Sequence, residues 1–189
     1  MGFPRDDSGA LPAMRVMGLA GWSGAGKTTL LAKLLPELGR RGLSVSTLKH
    51  AHHAFDVDQP GKDSHTHRQA GAREVLIASG RRWALMHELR EEPEPPLAAL
   101  LGRLSPVDLV LVEGFKRERH RKIAIHRQDN DKPPIHVGDE TIVAVASDAA
   151  LPGLQLPLVH LDDIAAIADL VEAHAEPLAR VLARLEQPG

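Results

Sequence analysis

Apolar positions fall into two kinds of run along this chain, and their alternation predicts its architecture. Val16 to Ala20 (VMGLA) is a short, nearly continuous apolar stretch, the pattern of a strand buried on both faces. After a glycine-rich loop, Leu30, Leu31, Leu34, Leu35 and Leu38 recur at helical spacing and give a helix one apolar face. Pro36 lies inside that pattern. An interior proline removes a backbone hydrogen bond and costs about 3 kcal/mol, so the helix is expected to bend near Ala32 or to stop short. Gly42 is placed as its C-terminal cap, ahead of a second strand from Ser44 to Leu48 (SVSTL). Strand, loop, helix and strand in this order open a mostly parallel sheet with helices on its faces, an α/β architecture.

The stretch from Lys49 to Ala72 (KHAHHAFDVDQPGKDSHTHRQAGA) breaks the rhythm, holding five of the eleven histidines with no strong periodicity in its first half. Pro60 and Gly61 mark a turn, and Asp63 or Ser64 is placed to cap a short helix ending near Gly71. Because it leaves the carboxyl end of the second strand, where open α/β sheets bind ligands, it is expected to be a ligand-facing, switch-like loop. Glu74 to Ser79 and Arg82 to Leu85 read as a hairpin around Gly80. Glu91 to Pro96 (EEPEPP) reads as an exposed connection, and Leu97 to Leu104 as a short helix. The most apolar strand, Asp108 to Val112 (DLVLV), leads into EGFK. Lys122 to His126 and Thr141 to Ala146 are further strands, with DNDKPP as a loop between them. The end, from about Leu161, is helical and divided by Pro177.

Length and charge narrow the picture. A chain of 189 residues suits one domain with a full core, read here as residues 14–189 behind a flexible tail of residues 1–13. A net charge of −2 gives no global reason to expect a nucleic-acid partner. Cysteine is absent, which excludes disulfides and thiolate metal sites and fits a cytoplasmic protein. No apolar run approaches the roughly 20 residues of a membrane span.

The glycine-rich loop, Gly21 to Thr28 (GWSGAGKT), fits G-x-x-x-x-G-K-[ST], the phosphate-binding loop. Its backbone N–H groups, through Gly21, Ser23, Gly24, Ala25 and Gly26 to Thr28 and Thr29, are expected to point at phosphate oxygens. Lys27 supplies a point charge to the β and γ phosphates and is expected to face solvent in the empty loop. Thr28 offers a hydroxyl to a bridging Mg²⁺, with the positive end of the following helix behind it. Phosphate chemistry also needs an acid near the metal, and two flank one strand. Parallel strands share the edge that carries the loop, so Glu113 is placed near Mg²⁺, on the metal, through water, or positioning a water nucleophile. Asp108, about 16 Å away along the strand, falls on the opposite rim.

Other polar residues keep two readings. His50 and His52, with Asp56 or Asp58, have ligand types for a transition metal, or the histidines hydrogen-bond to phosphates or to one another. Asp56 and Asp58 suit waters on Mg²⁺, or are solvated loop carboxylates. Lys49, Lys62 and Arg68 can neutralise phosphate charge. The basic run Lys116 to Lys122 (KRERHRK) is a solvated face, or an anion or partner site at the ligand edge.

GWSGAGKTTL, KHAHHAFDVDQPGKDSHTHRQAGA and DLVLVEGFK together resemble the molybdopterin-guanine dinucleotide biosynthesis protein B family, over nearly all of the chain after Met14. The resemblance implies a P-loop NTPase fold, three layers αβα around a mostly parallel sheet. It further implies GTP with Mg²⁺, weak hydrolysis, a homodimer, and association with the guanylyltransferase that joins GMP to molybdopterin. Lys27 and Thr28 match the phosphate and Mg²⁺ residues, and Glu113 the second acid. Ala124 stands where the family tends to carry an acid, and the first 13 residues have no counterpart. No [NT]-K-x-D motif reads guanine. Asp148, after the TIVAVA strand, is the candidate acceptor for guanine N1–H and the 2-amino group. Rival readings are a small-molecule kinase or ATP-dependent ligase, and a nickel-delivery GTPase.

Overall fold

In a computed structural model describing residues 13–51, 55–130 and 132–187, the chain divides into two compact units. One holds the described residues up to His50 together with those from Leu97 onward, and the other is Ala51–Pro96.

The first unit is built on β1 (Arg15–Ala20), β2 (Val45–Lys49), β5 (Leu109–Glu113), β6 (Lys122–His126), β7 (Ile142–Ser147) and β8 (Leu158–His160), with α1 (Lys27–Arg40), α3 (Leu97–Leu101), α4 (Ile164–His174) and α5 (Leu178–Leu185). The strands run in the order β2-β5-β1-β6-β7-β8, every neighbouring pair parallel. A two-residue β9 (Glu176–Pro177) adds to β1 antiparallel, beside Arg15 and Val16, while β6 pairs with Gly18 to Ala20. The sheet is therefore mostly parallel, and its apolar strands are continuous because both faces are covered.

Alternation assigns the faces. Met17, Leu19, Leu109 and Leu111 pack with Leu30, Leu31, Leu34 and Leu38 of α1 and with Ile167, Ala168 and Val171 of α4. Val16, Val110 and Val112 pack on the other side with Leu97 and Leu101 of α3 and with Leu178, Val181 and Leu182 of α5. Successive strand residues point to opposite faces, so one strand feeds two cores. Each fully buried Leu contributes about 2 kcal/mol relative to exposure. The result is three layers, helices on both faces of a parallel sheet, the P-loop NTPase class of α/β fold.

Two expectations change here. α1 runs unbroken through Pro36. Pro36 and Ala32 both lie on its exposed side, so the Ala32 carbonyl that loses its partner is left to water. The helix ends at Arg40 with Arg41 as its C-cap and Gly42 one place beyond, where Gly42 N–H donates to the Gly39 carbonyl and Leu43 N–H to that of Leu38. The terminal helical segment contains β9, and β8 precedes it.

The second unit holds α2 (Asp63–Gln69) and an antiparallel hairpin of β3 (Glu74–Ala78) and β4 (Trp83–His87). Ser79 Oγ accepts from the Arg81 and Arg82 N–H groups and closes the turn. Leu76 faces Leu85, and Ala78 faces Trp83, across the ladder. Phe55, Val57, Leu76, Ile77, Trp83 and Leu85 are all exposed. The segment expected as a switch-like loop contains the short helix expected within it, with Lys62 and not Asp63 or Ser64 at its N-cap, and belongs to a unit with its own hairpin. His52, His53 and the tail up to Pro12 lie outside the described residues, and with them the His52 half of the metal reading.

Candidate functional site

The turn between β1 and α1 carries the glycine-rich motif at the carboxyl edge of the sheet. Gly26 has φ 89 and is the N-cap of α1. A Cβ there would also lie 2.9 Å from Arg127 Nε, a side-chain end that can shift, so it is the conformation that requires glycine. Gly26 supplies no side-chain cap, and the first turn of α1 has no acid. The positive end of the helix and its first N–H groups are therefore left to an external acceptor, as an anion site requires. Ser23, Gly24, Thr28 and Thr29 are exposed around this end, Ala25 is buried beneath it, and Gly21 is buried where the loop begins.

Lys27 does not project into solvent. Its Nζ donates to the carbonyls of Gly21 at 2.9 Å and Trp22 at 3.0 Å. The ammonium folds back because two carbonyls of its own loop lie within reach, which satisfies the charge locally. Burial holds its pKa below the usual lysine range; Glu113 opposes that shift, while Lys116 and Lys49 add to it. Glu113, Lys49 and Lys116 therefore all act electrostatically on Lys27.

Strand register explains the convergence. Glu113 ends β5 between Leu19 of β1 and Lys49 of β2, so it reaches the loop edge and is nearly buried at 8 % exposure. Asp108 lies at the other end of β5, accepting from Ser44 N at 2.8 Å and Ser44 Oγ at 2.5 Å. The structure thus brings Lys27, Lys49 and Glu113 together beside exposed Thr28, a set with the hard oxygen donors and cations that Mg²⁺ and phosphate need. It keeps Asp108 apart.

On the far side of the loop, the segment after β6 closes the edge. Arg127 packs on Gly26, Asn130 Nδ2 donates to Ser23 O at 3.1 Å, and Trp22 Nε1 donates to Pro133 O at 2.7 Å. Asp148, at the end of β7, accepts from Gln128 N–H at 2.9 Å and lies 3.5 Å from Arg127 Nη1. The sequence reading omits Trp22, Arg127 and Asn130. Arg127 and Asn130 lie on a polar loop leaving a strand at the ligand edge, and Trp22 in the glycine-rich motif itself.

In the second unit, Arg68 Nη2 donates to Asp56 Oδ1 and Asp58 Oδ1, both at 2.8 Å, with Glu88 at 3.4 Å from Nη1. The Arg68 hydrogen bond holds the Asp58 carboxyl below the usual range. Asp56 and Asp58 are thus engaged by Arg68, and Arg68, a candidate for phosphate, is engaged by three carboxylates. Among the described residues no group of three or more His, Asp or Glu side chains is assembled to hold a metal ion.

A family model described as MobB, Molybdopterin guanine dinucleotide synthesis protein B, matches residues 16–148. The chain belongs to the MobB family. A molybdopterin-guanine dinucleotide biosynthesis adapter protein of Escherichia coli K12 is 46% identical over 159 residues, covering 82% of this chain and 90% of that protein. The adapter protein of that name from Haemophilus influenzae is 43% identical over 160 residues, covering 83% and 87%. A crystal structure of molybdopterin-guanine biosynthesis protein B aligns with a TM-score of 0.67 at 28% identity, over 84% of this chain and 98% of that one. The MobB match runs from β1 through the loop, the second unit and Glu113 to Asp148, so both units belong to the family's common part. No helix among the described residues is long and apolar enough to cross a membrane.

Proposed function

We propose that this member of the MobB family binds GTP with Mg²⁺ at the β1–α1 loop, hydrolyses it slowly, and acts as an adapter for the enzyme that joins GMP to molybdopterin. The observation that carries the reading is the convergence of Lys27 and Glu113 at the uncapped amino end of α1. Lys27 exchanges the Gly21 and Trp22 carbonyls for β and γ phosphate oxygens, while the N–H groups from Gly21 to Thr29 hold the phosphate chain. Thr28 and Glu113 would hold Mg²⁺, which would supply charge neutralisation to the phosphates. Lys49 adds positive charge from β2. Asp148 keeps acceptor capacity beyond its bonds to Gln128 and Arg127 and is the residue proposed to meet the guanine edge. Asp56 and Asp58 are held by Arg68 within the second unit.

Slow turnover follows from the lack of a sequence-evident water-positioning Gln or arginine finger, the latter worth roughly 10³ to 10⁵ in rate. The adapter role rests on the relatives' printed names and on the exposed apolar side chains of the second unit, which suit a partner guanylyltransferase carrying molybdopterin or a second copy in a homodimer. The working compartment is the cytoplasm.

A nucleotide-binding panel with and without Mg²⁺ tests the core of this reading. GTP is expected to bind more tightly with Mg²⁺ than without, and ahead of ATP. Hydrogen exchange on residues 49–72, with a pull-down of the guanylyltransferase, tests the adapter role. Both are expected to respond to GTP and Mg²⁺, and a nucleotide-independent result in both would leave a static docking surface.

A further inference from the structure

Lys116 opens the basic run after β5, and so far it has entered only as a charge near Lys27. The chain turns abruptly behind Glu113, with φ 94 at Gly114 and φ 48 at Phe115. A left-handed conformation is uncommon for a bulky residue such as Phe and persists where the surroundings enforce it. Here they do. A Cβ on Gly114 would stand 2.8 Å from the Cβ of His50, so the turn closes on the end of β2 only with glycine. The Phe115 ring then rests on the His50 ring, centroids 4.8 Å apart and planes tilted by 42°.

The turn sets where the next side chain goes. Lys116 Nζ lies 4.2 Å from the centroid of the Trp22 ring, inside the phosphate loop. Trp22 is fixed in turn by its hydrogen bond to the Pro133 carbonyl. An aromatic face attracts an ammonium, but less strongly than a phosphate oxygen accepting a charge-assisted hydrogen bond. The ring therefore keeps the ammonium at the rim of the loop and yields it to an anion. The pressure to yield is electrostatic, since Lys27 carries two lysines as like-charged neighbours against one carboxylate.

We propose that Lys116 is a second phosphate-binding lysine, held on the Trp22 ring and transferred to the terminal phosphate of a bound nucleoside triphosphate, so that the site distinguishes triphosphate from diphosphate. This rests on the nucleotide reading above. The terminal phosphate is assigned by position. The helical end of the loop serves the inner phosphates, whereas Trp22 stands at the strand end, five residues before Lys27, and Lys116 arrives from the β5 side that also carries Glu113.

The chain has two tryptophans, so Trp83→Phe leaves Trp22 as the sole indole reporter. In that protein, a non-hydrolysable GTP analogue with Mg²⁺ is expected to change the Trp22 emission, and GDP with Mg²⁺ to leave it nearly unchanged. Lys116→Met is expected to weaken the analogue about tenfold and GDP less than twofold, with Lys116→Arg recovering most of the loss. Equal losses for both nucleotides, or none for the analogue, overturn the proposal while the nucleotide reading stands. A parent protein that binds neither nucleotide defeats both. Should Lys116→Met not fold, the emission experiment decides alone, and an equal response to the two nucleotides overturns the assignment.

Discussion

Glu113 and Asp108 sit at opposite ends of the same strand, and the two rims of the sheet they mark are built on different principles. At the Asp108 rim charges close on opposite charges or hydroxyls. Asp108 takes both donors of Ser44, Arg41 meets Glu37, Asp169 and Glu172 at 2.8, 2.6 and 2.7 Å, and Glu176 is gripped by Arg184 at 2.6 and 2.8 Å. At the Glu113 rim, Lys27 has Lys49 and Lys116 as like-charged neighbours against the carboxylate of Glu113, and its ammonium turns to backbone carbonyls. Paired charges fix the fold in place; an imbalance of one sign is fit only to receive something of the other sign.

The strongest way to break this contrast is Lys27→Ala. Hydrogen bonds to charged groups contribute about 1.5–3 kcal/mol each, so losing two to phosphate is expected to weaken GTP about a hundredfold or more. The melting temperature should move little, because the lost partners in the empty loop are two carbonyls. Calorimetric titration showing unchanged affinity would remove the binding rim altogether.

Next comes the exchange of the two acids. Glu113→Gln is expected to lower Mg²⁺-dependent GTP hydrolysis about tenfold or more with the fold intact. Asp108→Asn should leave turnover alone and lower the melting temperature by a few degrees. The Ser44 hydrogen bond holds the Asp108 carboxyl below its ordinary range. Its contribution is therefore present above the unfolded carboxylate pKa and lost as pH falls through the folded one, a loss Asp108→Asn should not show. A larger turnover defect in Asp108→Asn than in Glu113→Gln would invert the assignment of the rims.

The smallest effect at neutral pH is expected at His120, which belongs to neither principle. It has no exposed surface, and neither ring nitrogen has a hydrogen-bond partner among the described residues. Burial pushes its pKa down to about 3, with Lys122 and Arg184 adding to the shift against Asp139 and Glu176. The folded pKa lies below the unfolded value, so stability is unaffected above about 6.5 and falls as pH drops toward 3, by a few kcal/mol in full. His120→Leu, similar in volume, should cost less than about 1.5 kcal/mol at pH 7 and shift acid unfolding to lower pH. An unchanged acid midpoint by circular dichroism would show that carboxylates alone govern that limb.

These rims were unequally legible in the sequence. The apolar runs of β1 and β5 and the leucines of α1 could be read because each buries a regular face, and strand direction alone then separated Glu113 from Asp108. β8 and β9, three and two residues long, carry no periodicity. Pro36 left a bend or an early stop open, and the helix does not stop early, because the cost of the proline depends on surroundings that one sequence does not state. Lys27 folding onto its loop, and Arg127, Asn130 and Trp22 meeting across it, are contacts between segments more than a hundred residues apart or choices among local acceptors. Phe115 at φ 48 is likewise enforced by His50, far away in the chain.

The strand order also has a history, because chains are synthesised amino end first. β1 and β2 emerge as lone strands, since both pair with β5 and not with each other, and β5 follows β2 by about sixty residues. Until then the phosphate loop has no neighbouring strand to brace it, whereas the hairpin of β3 and β4, whose contacts are local, can close. β9 and α5 come last of the described elements; β9 adds to the edge of β1, and α5 completes the cover over the face formed by Val16, Val110 and Val112. A nascent chain halted before Glu176 has only Leu97 and Leu101 of α3 against that apolar face, a state in which a chaperone would be needed and aggregation would compete with folding.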